Sequence, residues 1–228
     1  TFTKTGGETF DYLIVDKSSG NLVLSNSITA SQLLTLTNGN INTSTNKVIV
    51  SNSSSSSITR TNGYINGNLQ RAVSTGANTY SYPIGTASGY TPASINFTSV
   101  GTAGNLTIFS ADGASSNYPA SLSSTAKLAR YWDVSNSGIG SFNANASFTY
   151  LNADLIGGAT QSALKSYKYN APSTTVYPST STGTLSFTAN SITSFSEFGA
   201  GECGTTITAP AAGNGGPICA GTDLQLTA

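Results

Sequence analysis

The chain has 228 residues, of which only 8% are charged, and its nine basic and nine acidic side chains cancel; ordinary soluble domains are roughly a quarter charged. No basic run invites nucleic acid or an anionic membrane surface, and no apolar stretch approaches the roughly 18 residues of a membrane helix. The absence of histidine removes Ser-His and Cys-His catalysis and His-ligated metal.

Aromatic residues make up 9% of the chain, and Val, Ile and Leu recur in alternating runs, so there is a core to bury. Starting at Thr1 without methionine or signal peptide, and stopping inside the strand-like Leu224-Gln225-Leu226-Thr227, the chain reads as a piece of a longer protein.

Helical periodicity is nearly absent; 122–131 holds one turn at most. The rest alternates with period two and breaks at Gly, Asn, Pro and Ser, which predicts an all-β fold. In 1–58 the inward pairs are Leu13 and Val15, Leu22 and Leu24, Leu34 and Leu36, Val48 and Val50. Small polar turns such as Ser18-Ser19-Gly20-Asn21 and Asn38-Gly39-Asn40 separate them. Short strands at this spacing suit a β-solenoid-like segment or an antiparallel meander. The serine run 53–57 reads as a flexible or solvent-facing connection.

Residues 59–205 carry about ten further strand signals, at 63–67, 69–73, 79–84, 93–97, 105–110, 129–134, 146–151, 163–169, 184–188 and 195–199. That number fits a β-sandwich. Within Arg130-Tyr131-Trp132-Asp133-Val134, alternation sets Trp132 on a face with Arg130 and Val134, as a core anchor between sheets. Residues 206–217, rich in Pro, Gly and Ala, read as a linker; 218–228 restart a strand. Cys203 and Cys219 are the two cysteines. They either bond each other, a link worth about 3 kcal/mol by loop entropy, or Cys219 pairs beyond Ala228.

Candidate chemistry is sparse. Two carboxylates suffice for glycoside hydrolysis, and Asp112, Asp133, Asp154, Glu197 and Glu202 are available, but a structural role is favoured, with Asp133 and Glu197 capping turns or pairing with Arg130 or a lysine. Calcium needs six to eight oxygens; the loop acids Asp112 and Asp154 offer a weak case for Ca2+ and no other cofactor is called for. Tyr80, Tyr82, Tyr90 and Tyr118 lie in or near Pro/Gly loops and are possible ligand-contact aromatics for a sugar, though packing over the sandwich edges is the favoured role. Thr35-Leu36-Thr37 is a single Thr-x-Thr pair that adjacent strands do not repeat.

Several strings occur in order: Gly20-Asn21-Leu22-Val23-Leu24-Ser25-Asn26, Leu34-Thr35-Leu36-Thr37-Asn38-Gly39, Tyr64-Ile65-Asn66-Gly67-Asn68-Leu69, Tyr82-Pro83-Ile84-Gly85, Arg130-Tyr131-Trp132-Asp133-Val134 and Phe195-Ser196-Glu197-Phe198-Gly199. Together they resemble the large modular surface proteins of Bacteroidota exported by type IX secretion, gliding-motility adhesins among them. The tail Gly216-Pro217-Ile218-Cys219-Ala220-Gly221-Thr222 is similar to the opening of an immunoglobulin-like module. Asn68 departs from the resemblance, where proline is expected. The resemblance implies a non-enzymatic extracellular module at the cell surface, partnered by neighbouring β-modules of the same chain and by surface glycans, without membrane insertion of its own. The alternative is a carbohydrate-binding accessory module of a secreted polysaccharide-degrading enzyme.

Overall fold

The period-two alternation of the first third can close either as hairpins or as stacked turns, and the hydrogen bonding decides for stacking. The computed structural model describes residues 5–177 and 185–204. Strands β1 (Glu8–Asp16), β2 (Leu22–Val23), β3 (Ile28–Asn38), β4 (Ile41–Val50), β5 (Ile58–Arg60), β6 (Ile65–Val73), β7 (Asn78–Tyr82) and β8 (Ile84–Thr86) open the fold. Three parallel ladders run through them. Glu8 pairs Ile28, Ile28 pairs Val48 and Val48 pairs Leu69 on one face. Leu13 pairs Leu34 and Leu34 pairs Ile58 on the second. Leu22, Ile41, Ile65 and Ile84 pair successively on the third.

The segment is therefore a three-faced β-solenoid-like stack, whose rungs are bridged by side chains 20 to 24 residues apart. Leu34, Leu36, Ile41, Val48, Val50, Ile65 and Leu69 point inward and are fully buried, each worth roughly 1.5–3 kcal/mol of apolar transfer. One corner carries an amide ladder. Asn38 Nδ2 donates to Asp16 Oδ1 at 2.8 Å, and Asn62 Nδ2 to Asn38 Oδ1 at 3.1 Å. At the next corner Gly67 has φ +120 and sits against the Thr43 hydroxyl. The N–H of Asn68 donates to Thr43 Oγ1 at 2.9 Å. Proline, which has no N–H, would lose that bond, so asparagine suits this position.

The remaining strands are β9 (Gly89–Tyr90), β10 (Ala93–Thr102), β11 (Gly104–Asp112), β12 (Leu122–Leu128), β13 (Arg130–Ser137), β14 (Gly140–Thr149), β15 (Leu155–Ile156), β16 (Lys165–Asn170), β17 (Ser173–Tyr177), β18 (Ser186–Ile192) and β19 (Glu197–Cys203). They form two layers. One is a four-stranded sheet in the order β18-β14-β10-β7. The other grows out of the solenoid: β6 pairs β4 in parallel on one edge and β11 antiparallel on the other. From there the sheet runs on through β13 and β19 to β12 and β15.

No break falls at 58/59, where a boundary was expected. β5, β6 and β8 still belong to the stack, and one buried cluster extends from Val15 to Ala200. The single strand expected at 79–84 is two. Pro83 separates β7, in the small sheet, from β8, in the large one, because proline cannot donate to a ladder. The stretch 122–131 forms strands, not a helical turn. The linker 206–217 and the module start 218–228 lie outside the described residues.

The serine run 53–57 is the solvent-facing connection expected, with Ser54, Ser55 and Ser56 exposed, but it is firmly held. Ser57 is buried. Arg71 Nη2 donates to Ser54 O at 3.0 Å, Ser55 O at 3.1 Å and Ser57 Oγ at 3.0 Å, and Tyr80 Oη donates to Ser53 O at 3.0 Å. The run is a tightly bonded corner whose polar backbone is satisfied by a guanidinium and a phenol.

Candidate functional site

Trp132 stands on β13 facing the small sheet. Its ring centroid lies 5.1 Å from Phe148 and 5.5 Å from Phe187, and Nε1 donates to Thr91 O at 3.1 Å. It joins the two layers, with its one polar atom satisfied.

The four tyrosines do not form a platform. Tyr80 and Tyr82 are fully buried, flanking the Arg71 guanidinium at 5.1 and 5.9 Å from their centroids. Burial pushes the Tyr82 phenol well above its ordinary range. Both are packing residues at the foot of the solenoid, out of a ligand's reach. Tyr90 is half-buried beneath Arg60, 3.6 Å from its centroid. Tyr118, also half-buried, packs edge-on against Tyr167 at 5.5 Å with the Lys127 ammonium 4.6 Å above it.

The acids divide by duty. Asp112 and Asp154 both serve Arg130, not a metal. Arg130 Nε donates to Asp154 Oδ2 at 2.6 Å, and Nη2 to Asp154 Oδ1 at 3.1 Å and Asp112 Oδ1 at 2.6 Å. The guanidinium fills the place a cation would take, and no cluster of three potential ligands occurs among the described residues. Thr86 and Ser88 complete Asp112, each donating at 2.9 Å. Burial raises the Asp112 carboxyl, but these two hydroxyls and Arg130 outweigh it and hold the group below the usual carboxylate range. Because Thr86 ends β8, this network fastens the last solenoid rung to the sandwich.

Glu202 accepts from the Thr160 N–H at 2.6 Å and its hydroxyl at 2.9 Å. Glu197 is buried, accepting from the Ser115 hydroxyl and from Asn117 Nδ2 at 3.1 Å. Asp133 sits directly across the ladder from Glu197. It pairs with neither Arg130 nor a lysine, and no hydrogen bond engages its carboxylate among the described residues. Burial, then repulsion from Glu197, raises its carboxyl above the ordinary value.

Thr-x-Thr does recur. Thr59-Arg60-Thr61 stacks on Thr35-Leu36-Thr37, with Thr59 Oγ1 donating to Thr35 Oγ1 at 3.1 Å. The first rung places Ile14 opposite Thr35, so the array stops at two rungs. Cys203 closes β19; Cys219, and with it the expected pairing, lies outside the described residues.

Sequence reasoning did not find one depression formed among the described residues. It is a groove of about 790 Å³ between the two layers at one end of the sandwich. Its lining includes Asp133, Phe142 and Phe195, the two rings stacked at 4.6 Å and 12°. Its residues come from β10, the β13–β14 hairpin and the 193–196 loop, which are far apart in sequence. The fold and this site define a class: an all-β protein in which a solenoid-like stack runs into a sandwich. No family model, no curated protein and no solved structure matches the chain.

Proposed function

We propose that the chain is a non-enzymatic structural and adhesive module of a large extracellular bacterial surface protein, coupled end to end with neighbouring β-modules. The observation that carries this reading is the shared strand β6. It joins parallel rungs to an antiparallel sheet without a break in hydrogen bonding, so load entering one part passes through backbone bonds into the other. Low charge and a Ser/Thr/Asn-rich surface suit a stalk, where repeated folds supply length. Among the acids, Asp112, Asp154, Glu197 and Glu202 are held by structural partners, which also supports a non-catalytic role.

Beads coated with the chain should attach to polysaccharide-coated surfaces more than albumin-coated beads do, while the chain releases no reducing sugar from the same polysaccharides. Turnover abolished by Asp133→Ala or Glu197→Ala would replace this reading with an enzyme, and attachment no better than albumin would remove the adhesive half. A carbohydrate-binding accessory role is the second reading, favoured by the groove.

A further inference from the structure

Each rung of the solenoid-like stack buries its inward residues beneath the rung above, and the first rung has none above it among the described residues. Leu34 and Ile41, in the second rung, are fully buried. Their ladder partners in the first rung, Leu13 and Leu22, are only partly buried, although they pack on the same core. β1 pairs with β3 alone and β2 with β4 alone, so over 11–16 and 22–23 the opposite edge has no ladder partner among the described residues. Such an edge is a template for a further strand. Three of the four exposed large apolar side chains among the described residues also stand on this rung, Tyr12, Ile14 and Val23. An open core, open edges and outward apolar residues therefore coincide at one end of the stack.

The polar side chains decide what kind of strand fits. Within the stack the donors point toward the first rung. Thr59 donates to Thr35, Asn62 to Asn38, Asn38 to Asp16 Oδ1 at 2.8 Å and Ser31 to Asp11 Oδ1 at 2.6 Å. These runs of donors end on two carboxylates, which accept and cannot donate. Both aspartates are exposed, and the Oδ2 of each accepts no hydrogen bond among the described residues. A strand laid on this edge must bring donors to Asp11 and Asp16, and one that brings acids is repelled. β1 itself has three acids and no base, with Lys17 past its end, so a second copy turned head to head would set acceptors against acceptors.

We propose that the first rung docks a further β-rung from a neighbouring module. That rung runs parallel to β1, as the rungs below do, with basic or amide side chains over Asp11 and Asp16 and apolar ones over Leu13 and Leu22. The site rests on the reading of the chain as one module among neighbours and names the surface that couples them.

The test is an NMR titration of the isotopically labelled 228-residue chain with two synthetic peptides of sequence 28–42, the rung that already pairs beneath β1 and β2. One peptide carries Ser31→Lys and Asn38→Lys, the other Ser31→Glu and Asn38→Glu. At millimolar concentration the lysine peptide should shift amides confined to 8–16 and 22–23, and it should bind at least about tenfold more tightly than the glutamate peptide. Asp11→Asn together with Asp16→Asn in the chain keeps an acceptor for Ser31 and Asn38 and should erase most of that preference. The proposal is overturned if the lysine peptide shifts nothing on this rung, if the two peptides bind alike, if the preference survives in the double variant, or if the chain alone dimerises through the same amides. No glycan enters the titration, so a failed bead-attachment assay leaves its outcome standing.

Discussion

Arg130 Nε lies 2.6 Å from Asp154 Oδ2 with both side chains buried, whereas the Asp112 oxygen at the same distance from Arg130 Nη2 belongs to a side chain 46% exposed. One guanidinium thus holds a dry partner and a wet one. Removing one member of a buried pair strands the other charge, at about 3–5 kcal/mol, while an exposed pair is worth about 0–1 kcal/mol. Asp154→Asn or Arg130→Met is expected to lower stability in urea by several kcal/mol, and Asp112→Asn by about 1 kcal/mol or less. Equal losses from Asp112→Asn and Asp154→Asn would contradict the assigned burial.

The two perturbed aspartates act in opposite directions with pH. Asp112 is held below its ordinary value, so its contribution is full above about pH 4 and fades as pH falls through its folded value. Asp133 is raised, so its folded state carries a charge penalty that is absent below about pH 4 and fully present once pH exceeds its folded value. Asp133→Asn is therefore expected to raise Tm at pH 7 and leave it nearly unchanged at pH 3. Thermal melts of the variant at both pH values check this; a lower Tm at pH 7 would show that Asp133 has a stabilising partner.

Arg71 is fully buried without a carboxylate, and its Nη1 and Nη2 atoms reach the carbonyls of Ser81, Ser54 and Ser55. Only a planar fork makes these contacts together. Arg71→Lys is expected to cost about 2 kcal/mol or more, since carbonyls lose their donors. It should also open the 53–57 corner to proteolysis. Unchanged cleavage there would mean the corner is held by Tyr80 and the backbone alone.

Much of this was legible from alternation. Inward Leu34, Leu36, Val48 and Val50 and the anchor Trp132 follow from period two, which is local. Alternation has the same period in parallel and antiparallel ladders, so the choice between a stack and a meander was not. It depends on Ile41 meeting Ile65 and Ile65 meeting Ile84, pairings set by the corners between rungs. The exposure of the serine corner follows from its composition, but its bonding does not, because Arg71 and Tyr80, its partners, come later in the chain. The groove escaped because Asp133, Ser141 and Phe195 share no local pattern; only the packing of two sheets brings them together.

Trp132 fills the space between layers against Phe148 and Phe187, and its removal leaves a large cavity. Trp132→Ala is expected to destabilise by about 3–5 kcal/mol, and the native protein should emit at blue-shifted wavelengths. Water-like emission together with unchanged stability would place the indole at the surface.

Solenoid and sandwich share one sheet through β6 and should unfold as a single mechanical body. Single-molecule pulling with handles at residues 5 and 204 tests it most directly. A single rupture releasing the whole folded length is expected, and Gln70→Pro in β6, which removes a ladder donor, should lower the rupture force. Two independent ruptures, one for each part, would contradict it.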